Sequence, residues 1–102
     1  MQGIIFGKTG DRALAEANKI CEDYNMMLIP YISKSKDRII FENGDVWDIV
    51  SGEHCGRGMK ANVAMIDIQL DQQYIDTVII PCICTLPYGA YNFFSCREDL
   101  TN

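Results

Sequence analysis

The sequence contains no apolar run that approaches the length of a membrane-spanning helix. Such a helix needs about 20 consecutive apolar residues, so we expect no transmembrane segment and no membrane partner. Residues 1–4 also lack the basic region and the long apolar core of a secretory signal peptide. Together these absences predict a cytoplasmic protein.

Positive charge is also scarce. Nine lysines and arginines stand against 14 aspartates and glutamates, which gives a net charge of −5. Lys34, Lys36 and Arg38 form the longest basic cluster, and Asp37 interrupts it. Because proteins that bind nucleic acid usually carry a basic patch that neutralises phosphates, we expect the isolated chain to bind DNA poorly.

The cysteines do not form a disulfide framework. Their number is odd, and their spacing fits no scaffold of paired bridges: Cys21, Cys55, Cys82, Cys84 and Cys96. A zinc site that combines Cys82-x-Cys84 with His54-Cys55 is conceivable, but zinc ligands normally leave at least two residues between paired cysteines. We therefore expect reduced thiols that pack as small apolar side chains.

What the sequence does contain is enough apolar material for one folded domain over residues 1–102. The apolar fraction is 48%, and no repeat, linker or low-complexity segment divides the 102 residues. The short apolar run from Gly3 to Gly7 predicts a buried strand. A helix capped by Asp11 should follow. One face of that helix is apolar: Ala13, Leu14, Ala17, Ile20, Cys21 and Tyr24. The other face should meet water: Glu16, Lys19, Glu22 and Asp23.

A hairpin is predicted in the middle of the chain. The pair Asn43-Gly44 favours a two-residue turn with positive φ at both positions. That turn sets a register of three pairs: Glu42 with Asp45, Phe41 with Val46, and Ile40 with Trp47. The strand before the hairpin should be short or at an edge, because Pro30 interrupts its apolar run.

A second buried strand is predicted over Val63–Ile66, after a glycine-rich connection that contains Arg57 and Lys60. We expect it to lie parallel to the first strand and beside it or nearly so. It ends on Asp67, which has two interpretations. The carboxylate either ends the strand and caps the next segment, or it holds the water shell of a magnesium ion beside a nucleotide.

A second helix and an apolar tail should complete the chain. Asp71 is placed to cap the helix and Pro81 to end it. The apolar stripe of this helix has four members: Tyr74, Ile75, Val78 and Ile79. The tail from Cys82 to Phe94 is apolar and aromatic, and it can supply one more strand.

Gly7-Lys8-Thr9-Gly10 resembles the end of a phosphate-binding loop, but the spacing is wrong. The full motif needs a glycine five residues before its second glycine, and Gln2 stands there. The intervening residues Ile4, Ile5 and Phe6 belong in a core, and the chain has no room for a buried strand before the loop. The alternative is a strand-to-helix turn that carries a solvated lysine.

Taken in order, these segments resemble the ATPase domain of the large terminase subunits of tailed phages, the motors that package viral DNA. The likeness covers the second half of that domain, roughly residues 2–81. It comprises the Asn43-Gly44 hairpin, an Arg-Gly…Ala-Asn turn (57–62), the strand ending at Asp67 and a helix ending in residues 78–81 (VIIP). Residues 2–24 resemble the strand and helix that precede the hairpin. The resemblance implies an incomplete α/β sheet like that of P-loop NTPases, with flanking helices and one hairpin.

The resemblance also implies where ligands would bind. Lys8 and Thr9 would contact ATP, Asp67 would hold magnesium, and Arg57 and Lys60 would contact DNA or the motor. Two departures matter. The phosphate loop of the family lies upstream of the matched segment, and Ile68 stands where the family has the glutamate that activates water. Without the phosphate loop and that glutamate, we expect no ATP hydrolysis by this chain alone. The nuclease domain of the family is missing as well. ATP and Mg would bind only if a partner completed the domain.

Three functional hypotheses are compatible with these features. The chain is a split or decayed terminase that another chain completes, or a small regulatory or binding protein that reuses half the motor fold. The third hypothesis is a minimal nucleotide-binding enzyme that uses Lys8, Thr9 and Asp67. The chain should self-associate or need a partner if its tail leaves the Val63–Ile66 strand uncovered. Candidate contacts are Trp47, Tyr88, Tyr91, Phe93 and Phe94.

Overall fold

The structure, a computed structural model, describes residues 1–52, 61–81 and 90–96. Within these ranges, six strands and two helices succeed one another along the chain: β1 (Gln2–Gly7), α1 (Gly10–Met26), β2 (Tyr31–Lys34), β3 (Arg38–Phe41), β4 (Val46–Ser51), β5 (Val63–Asp67), α2 (Gln72–Tyr74) and β6 (Ala90–Phe94). A π-helical stretch, Ile75–Ile79, extends α2. The described residues include no helix long and apolar enough to cross a membrane.

All six strands form one mixed sheet in the order β2-β3-β4-β1-β5-β6. β4, β1, β5 and β6 are mutually parallel neighbours, whereas β3 runs antiparallel to both β2 and β4. The parallel pairing of β1 with β5, with Ile4 opposite Ala64 and Phe6 opposite Ile66, confirms the arrangement expected from their apolar runs. The α/β class is therefore as predicted.

Apolar side chains cover both faces of the sheet. On one face α1 packs over a cluster that includes Ile5, Ile39, Phe41, Trp47 and Ile49. On the other face the segment after β5 packs Leu70, Ile75 and Ile79 against Ile4, Phe6 and Ile66. Since both sides of β1 and β5 are covered, these strands carry uninterrupted apolar runs rather than an alternation.

The start of α1 differs from the prediction. Thr9, not Asp11, is the N-cap residue, and its hydroxyl accepts a hydrogen bond from the Arg12 amide at 3.3 Å. Asp11 lies in the first turn instead, where its negative charge interacts favourably with the positive end of the helix dipole. Glu16, which we expected to face water, is only 7% exposed. The buried face of α1 therefore includes Glu16 and is rotated relative to the face that the apolar pattern predicted.

The hairpin prediction is wrong in its turn type and its register. Of its two turn residues only Gly44 has positive φ, at 93°. The Phe41 amide donates to the Asp45 carbonyl and the Gly44 amide to the Phe41 carbonyl, which leaves a three-residue loop. A turn followed by glycine in the left-handed region is the usual form of such a loop. Ile40 therefore pairs with Val46, not with Trp47.

This shift of one residue changes which side chains share a face. Ile39, Phe41, Trp47 and Ile49 all lie on the α1 side of the sheet. The pairing predicted from the sequence had placed Ile39 and Phe41 on the face opposite Trp47. The observed register lets Trp47 lie over Gly3, where an added Cβ would stand only 2.5 Å from the indole ring.

A polar chain of side chains fastens the hairpin to α1. The Trp47 indole N–H donates to the Tyr24 hydroxyl at 3.1 Å, and that hydroxyl donates to Asp45 Oδ2 at 2.8 Å. The Tyr24 ring stacks on Phe41 with 3.7 Å between centroids. Because the network satisfies every polar atom that it buries, Trp47 and Tyr24 can lie in the core.

The tail contributes a strand beside β5, so it covers one side of the Val63–Ile66 strand. β6 pairs with β5 over five residue pairs, from Val63 with Ala90 to Asp67 with Phe94. Phe94 and Trp47 are buried, so the prediction that they are contacts for another chain is wrong. Tyr91 and Phe93 are exposed and stay candidates, while Tyr88 lies outside the described residues.

Candidate functional site at the carboxyl edge of the sheet

The carboxyl ends of β1, β4 and β5 lie together at one edge of the sheet, because these strands are parallel neighbours. The chain leaves β1 through α1 toward β4, while β5 occupies the opposite side of β1. Such a change of direction opens a crevice in parallel sheets, and ligands of α/β proteins usually bind there. This edge is therefore the candidate site.

Asp67 is the central residue of this edge. Its side chain is fully buried, and it ends β5 as the sequence predicted. Arg12 approaches it with two donors: Nε lies 2.6 Å from Oδ2 and Nη2 lies 2.7 Å from Oδ1. The Lys8 amide donates to Oδ2 at 2.9 Å and the Gln69 amide to Oδ1 at 3.0 Å. Each carboxylate oxygen thus accepts two hydrogen bonds.

Close packing at the end of β1 brings Arg12 to this position. A Cβ added at Gly7 would lie 2.6 Å from the Ala13 Cβ, so only glycine lets the first turn of α1 approach the strand. Thr9 then caps the helix, which places Arg12 in its first turn beside the end of β5. The sequence thereby sets a forked cation against a strand-end carboxylate.

These contacts shift the ionisation of Asp67. Burial is the largest influence and by itself opposes the charged form. The hydrogen bonds from Arg12 and from the Lys8 and Gln69 amides outweigh burial, so the pKa of Asp67 lies below its ordinary value. The carboxylate is therefore ionised at neutral pH and paired with Arg12.

Glu16 lies one helical turn after Arg12 on α1, and its pKa is shifted in the direction opposite to that of Asp67. Burial is the main cause of a raised pKa for Glu16, and Asp23 raises it further while Lys19 lowers it. The two buried carboxylates thus differ in the hydrogen-bond donors that they receive. Only Asp67 has hydrogen bonds that offset its burial.

Lys8 and Thr9, the predicted nucleotide contacts, are placed differently from each other. Lys8 is exposed and lines a cleft of about 420 Å³ together with Gly52, Gln69, Leu70 and Asp71. The Thr9 hydroxyl is engaged in capping α1. A second, smaller cavity of about 180 Å³ lies between the start of α1 and Lys36, Asp37 and Ser51.

The surroundings of Asp67 do not suit a divalent cation. A metal would have to displace the Arg12 guanidinium, and the residues that the structure describes contain no cluster of three potential metal ligands. The magnesium prediction requires the Arg12 pair to open, and it stays a prediction. Ile68, the next residue, is 49% exposed. Arg57 and Lys60 lie outside the described residues, as do the imagined zinc ligands His54, Cys55, Cys82 and Cys84.

Sequence reasoning missed Arg12, the residue that defines the chemistry of this edge. A signal was available, since a carboxylate at the end of a strand buried on both faces needs a charged partner. The spacing between Gly7 and the first turn of α1 made Arg12 a candidate for that role. Comparison of the chain with protein-family models, with curated proteins and with solved structures finds no match.

Proposed function

We propose that the chain is a non-catalytic part of a viral DNA-packaging machine, built on the half of the large-terminase ATPase domain that its sequence resembles. It acts through contact with another chain in the cytoplasm of a host that carries the phage or prophage. In this proposal it meets DNA only within the assembled motor. ATP and Mg enter only if the partner supplies a phosphate loop.

One observation carries the non-catalytic part of the proposal: the strand-end carboxylate is already paired. Asp67 accepts four hydrogen bonds, two of them from Arg12. A catalytic magnesium needs free carboxylate oxygens or their water shell. Ile68 at the next position can neither orient water nor accept a proton, and phosphoryl transfer depends on such positioning.

A hydrolysis assay with the purified chain tests this proposal. We expect no magnesium-dependent release of phosphate from ATP above the background without protein. Lys8→Ala serves as the matched variant, because Lys8 is exposed at the cleft and its loss should leave the fold intact. Turnover that requires magnesium and disappears in Lys8→Ala would refute the non-catalytic assignment.

The packaging part of the proposal has its own test. If the chain is one piece of a split motor, the DNA on either side of its gene should encode a phosphate loop upstream or a nuclease domain downstream. Co-expression with the upstream product should then give a complex that purifies together. Flanking frames that encode neither feature would argue for a separate regulatory protein.

The cleft at Lys8 favours one alternative, the minimal nucleotide-binding protein. It offers an exposed lysine beside the start of α1, at the edge where parallel sheets bind ligands. Titration calorimetry with ATP and Mg distinguishes the two functions. Heat that saturates at one ATP per chain and falls in Lys8→Ala would favour this alternative, whereas no heat favours the packaging partner.

A further inference from the structure

β6 is an outer strand that, within the part of the chain that the structure describes, lacks the usual protection of a sheet edge. Among the described residues it pairs with β5 alone, and its five residue pairs succeed one another without a register shift. Its sequence, Ala90–Phe94, has no charged residue and no proline. Natural edge strands normally carry such features because a free edge invites pairing with another chain.

The opposite edge of the sheet shows what that protection looks like. β2 has only four residues, its register shifts between Tyr31 and Ser33, and it contains Lys34. Pro30 stands immediately before it. A bulge, a lysine and a proline each discourage edge-to-edge pairing. Among the described residues, one edge of the sheet is therefore protected and the β6 edge is open.

The open edge presents a defined set of backbone groups. The Ala90 amide donates to the Asn62 carbonyl, and the Phe94 carbonyl accepts from the Ile68 amide. These residues point their backbone groups toward β5. Because the direction alternates along a strand, the N–H and C=O groups of Tyr91 and Phe93 point outward, away from the sheet.

The side chains at the same two positions are exposed aromatic rings. Tyr91 is 45% exposed and Phe93 is 49% exposed. Their rings meet edge to face with 5.9 Å between centroids. Both residues pair with β5 residues of the α2 face, Ala64 and Ile66, so both rings lie on that face of the sheet.

We propose that β6 pairs antiparallel with β6 of a second copy of this chain, about a two-fold axis through Asn92. In this register Tyr91 stands opposite Phe93 of the second copy, and these residues exchange four backbone hydrogen bonds across the axis. The two ring pairs then meet on one face, where aromatic cross-strand pairs are favourable. The sheet becomes continuous through both copies.

The lack of charge on β6 disfavours a charged partner segment and does not disfavour a second copy. The chain carries a net charge of −5, so two copies repel each other over most surfaces. β6 has no charge to add to that repulsion and none to attract a basic or acidic peptide. The edge is complementary to itself in backbone and in side chains. This inference does not depend on the packaging proposal.

Asn92 supplies the test, because only this register places it opposite itself. Sedimentation equilibrium should show a concentration-dependent mass that rises from 11.5 kDa toward twice that value. Asn92→Lys sets two lysines face to face and should weaken dimerisation about tenfold or more, since directly opposed like charges are destabilising. Asn92→Asp should do the same. An equimolar mixture of the two variants should restore the dimer.

Ser33→Lys is the matched control, because it adds the same charge to the exposed opposite edge and should leave the dimer unchanged. Circular dichroism checks that each variant is folded. Hydrogen exchange gives an independent readout: the Tyr91 and Phe93 amides should become protected as the concentration rises.

Several outcomes would overturn the inference. They are a mass of 11.5 kDa at every concentration, a wild-type affinity in Asn92→Lys, a mixture that fails to dimerise, or a loss of the dimer in Ser33→Lys. A monomer would leave the open edge to a strand from another protein.

Discussion

Two arginine–aspartate pairs of nearly equal length lie in very different surroundings. Arg12 Nε is 2.6 Å from Asp67 Oδ2, and the side chains are 8% and 0% exposed. Arg38 Nε is 2.7 Å from Asp48 Oδ1, with the side chains 58% and 20% exposed. Judged by contact distance alone, the two pairs would be expected to contribute equally to stability. Their different exposure predicts different contributions to stability.

The buried pair joins distant parts of the chain, since it ties the start of α1 to the end of β5. Both charges have left water, so each depends on the other, and Asp67 also depends on hydrogen bonds from the Lys8 and Gln69 amides. The exposed pair joins residues that already face each other across β3 and β4. Water can solvate either of its partners if the other is lost. Loss of one partner should therefore cost more stability in the buried pair than in the exposed pair.

Arg12→Ala should produce the largest loss of stability. It leaves the Asp67 carboxylate charged, buried and without its guanidinium, which typically costs about 3–5 kcal/mol. Urea unfolding followed by circular dichroism gives the change in the free energy of unfolding. A loss below about 1 kcal/mol would place this pair in the same class as a surface pair.

The double variant Arg12→Met/Asp67→Asn is the control for that result. It removes both charges together and keeps one side-chain oxygen, which can accept from one of the two amides that Asp67 binds, that of Lys8 or that of Gln69. We expect it to be more stable than Arg12→Ala, because no unpaired charge is left in the core. If the double variant were the less stable of the two, the pair would contribute through packing and hydrogen bonds rather than through charge.

The pH dependence should separate the two buried carboxylates. The pKa of Asp67 lies below its ordinary 3.8, so its contribution is complete above that pH and is lost as the pH falls through the native pKa. The raised pKa of Glu16 acts in reverse: its native form gains stability as the pH falls through that pKa toward 4.5. Unfolding curves across the acid range should show a rise and then, at lower pH, a fall.

Two variants assign these phases. Glu16→Gln should remove the rise and keep the fall, whereas Arg12→Met/Asp67→Asn should reduce the fall and keep the rise. Identical pH profiles for both variants and the wild type would show that other groups control acid unfolding.

The sequence predicted the parallel strands well and the contacts between them poorly. The runs at Ile4–Phe6 and Val63–Ile66 needed cover on both faces, and that requirement led directly to adjacent strands under helices. The same reasoning could not identify Arg12. A helical pattern predicts which residues face the sheet, but it does not show which of them pairs with a carboxylate at the end of a distant strand.

The exposed pair escaped prediction for a different reason. Asn43-Gly44 is compatible with a two-residue turn and with a three-residue loop that has Gly44 in the left-handed region. The first choice sets Arg38 opposite Ile49, and the second sets it opposite Asp48, as observed. Local sequence did not distinguish them; packing of Ile39, Phe41 and Trp47 on one face did.

Gly44→Val tests whether this loop holds the exposed pair in place. Gly44 has φ of 93°, which a β-branched residue strongly resists, so the variant should lose about 1 kcal/mol or more. Gly10→Ala is the matched control: an added Cβ meets nothing within 4 Å there, and alanine suits a helix. Thermal melting compares the two. An unchanged midpoint in Gly44→Val would mean that the loop tolerates another conformation.

Arg38→Ala should have the smallest effect, below about 1 kcal/mol. Added salt should weaken the wild-type contribution further, because the pair is exposed to screening. Chemical unfolding at low and high ionic strength measures both effects. A loss as large as that of Arg12→Ala would show that exposure is a poor guide to the worth of an ion pair in this protein.

Trp47 gives the chain an optical property that arises from its packing. It is the only tryptophan in the sequence, its ring lies over Gly3, and its indole N–H is bonded to Tyr24. Its emission should shift to longer wavelength when β1 separates from β4, because the indole then meets water. Tyr24 is close enough to transfer excitation to it. Fluorescence of the unlabelled protein can therefore report, in real time, whether the central strands are together.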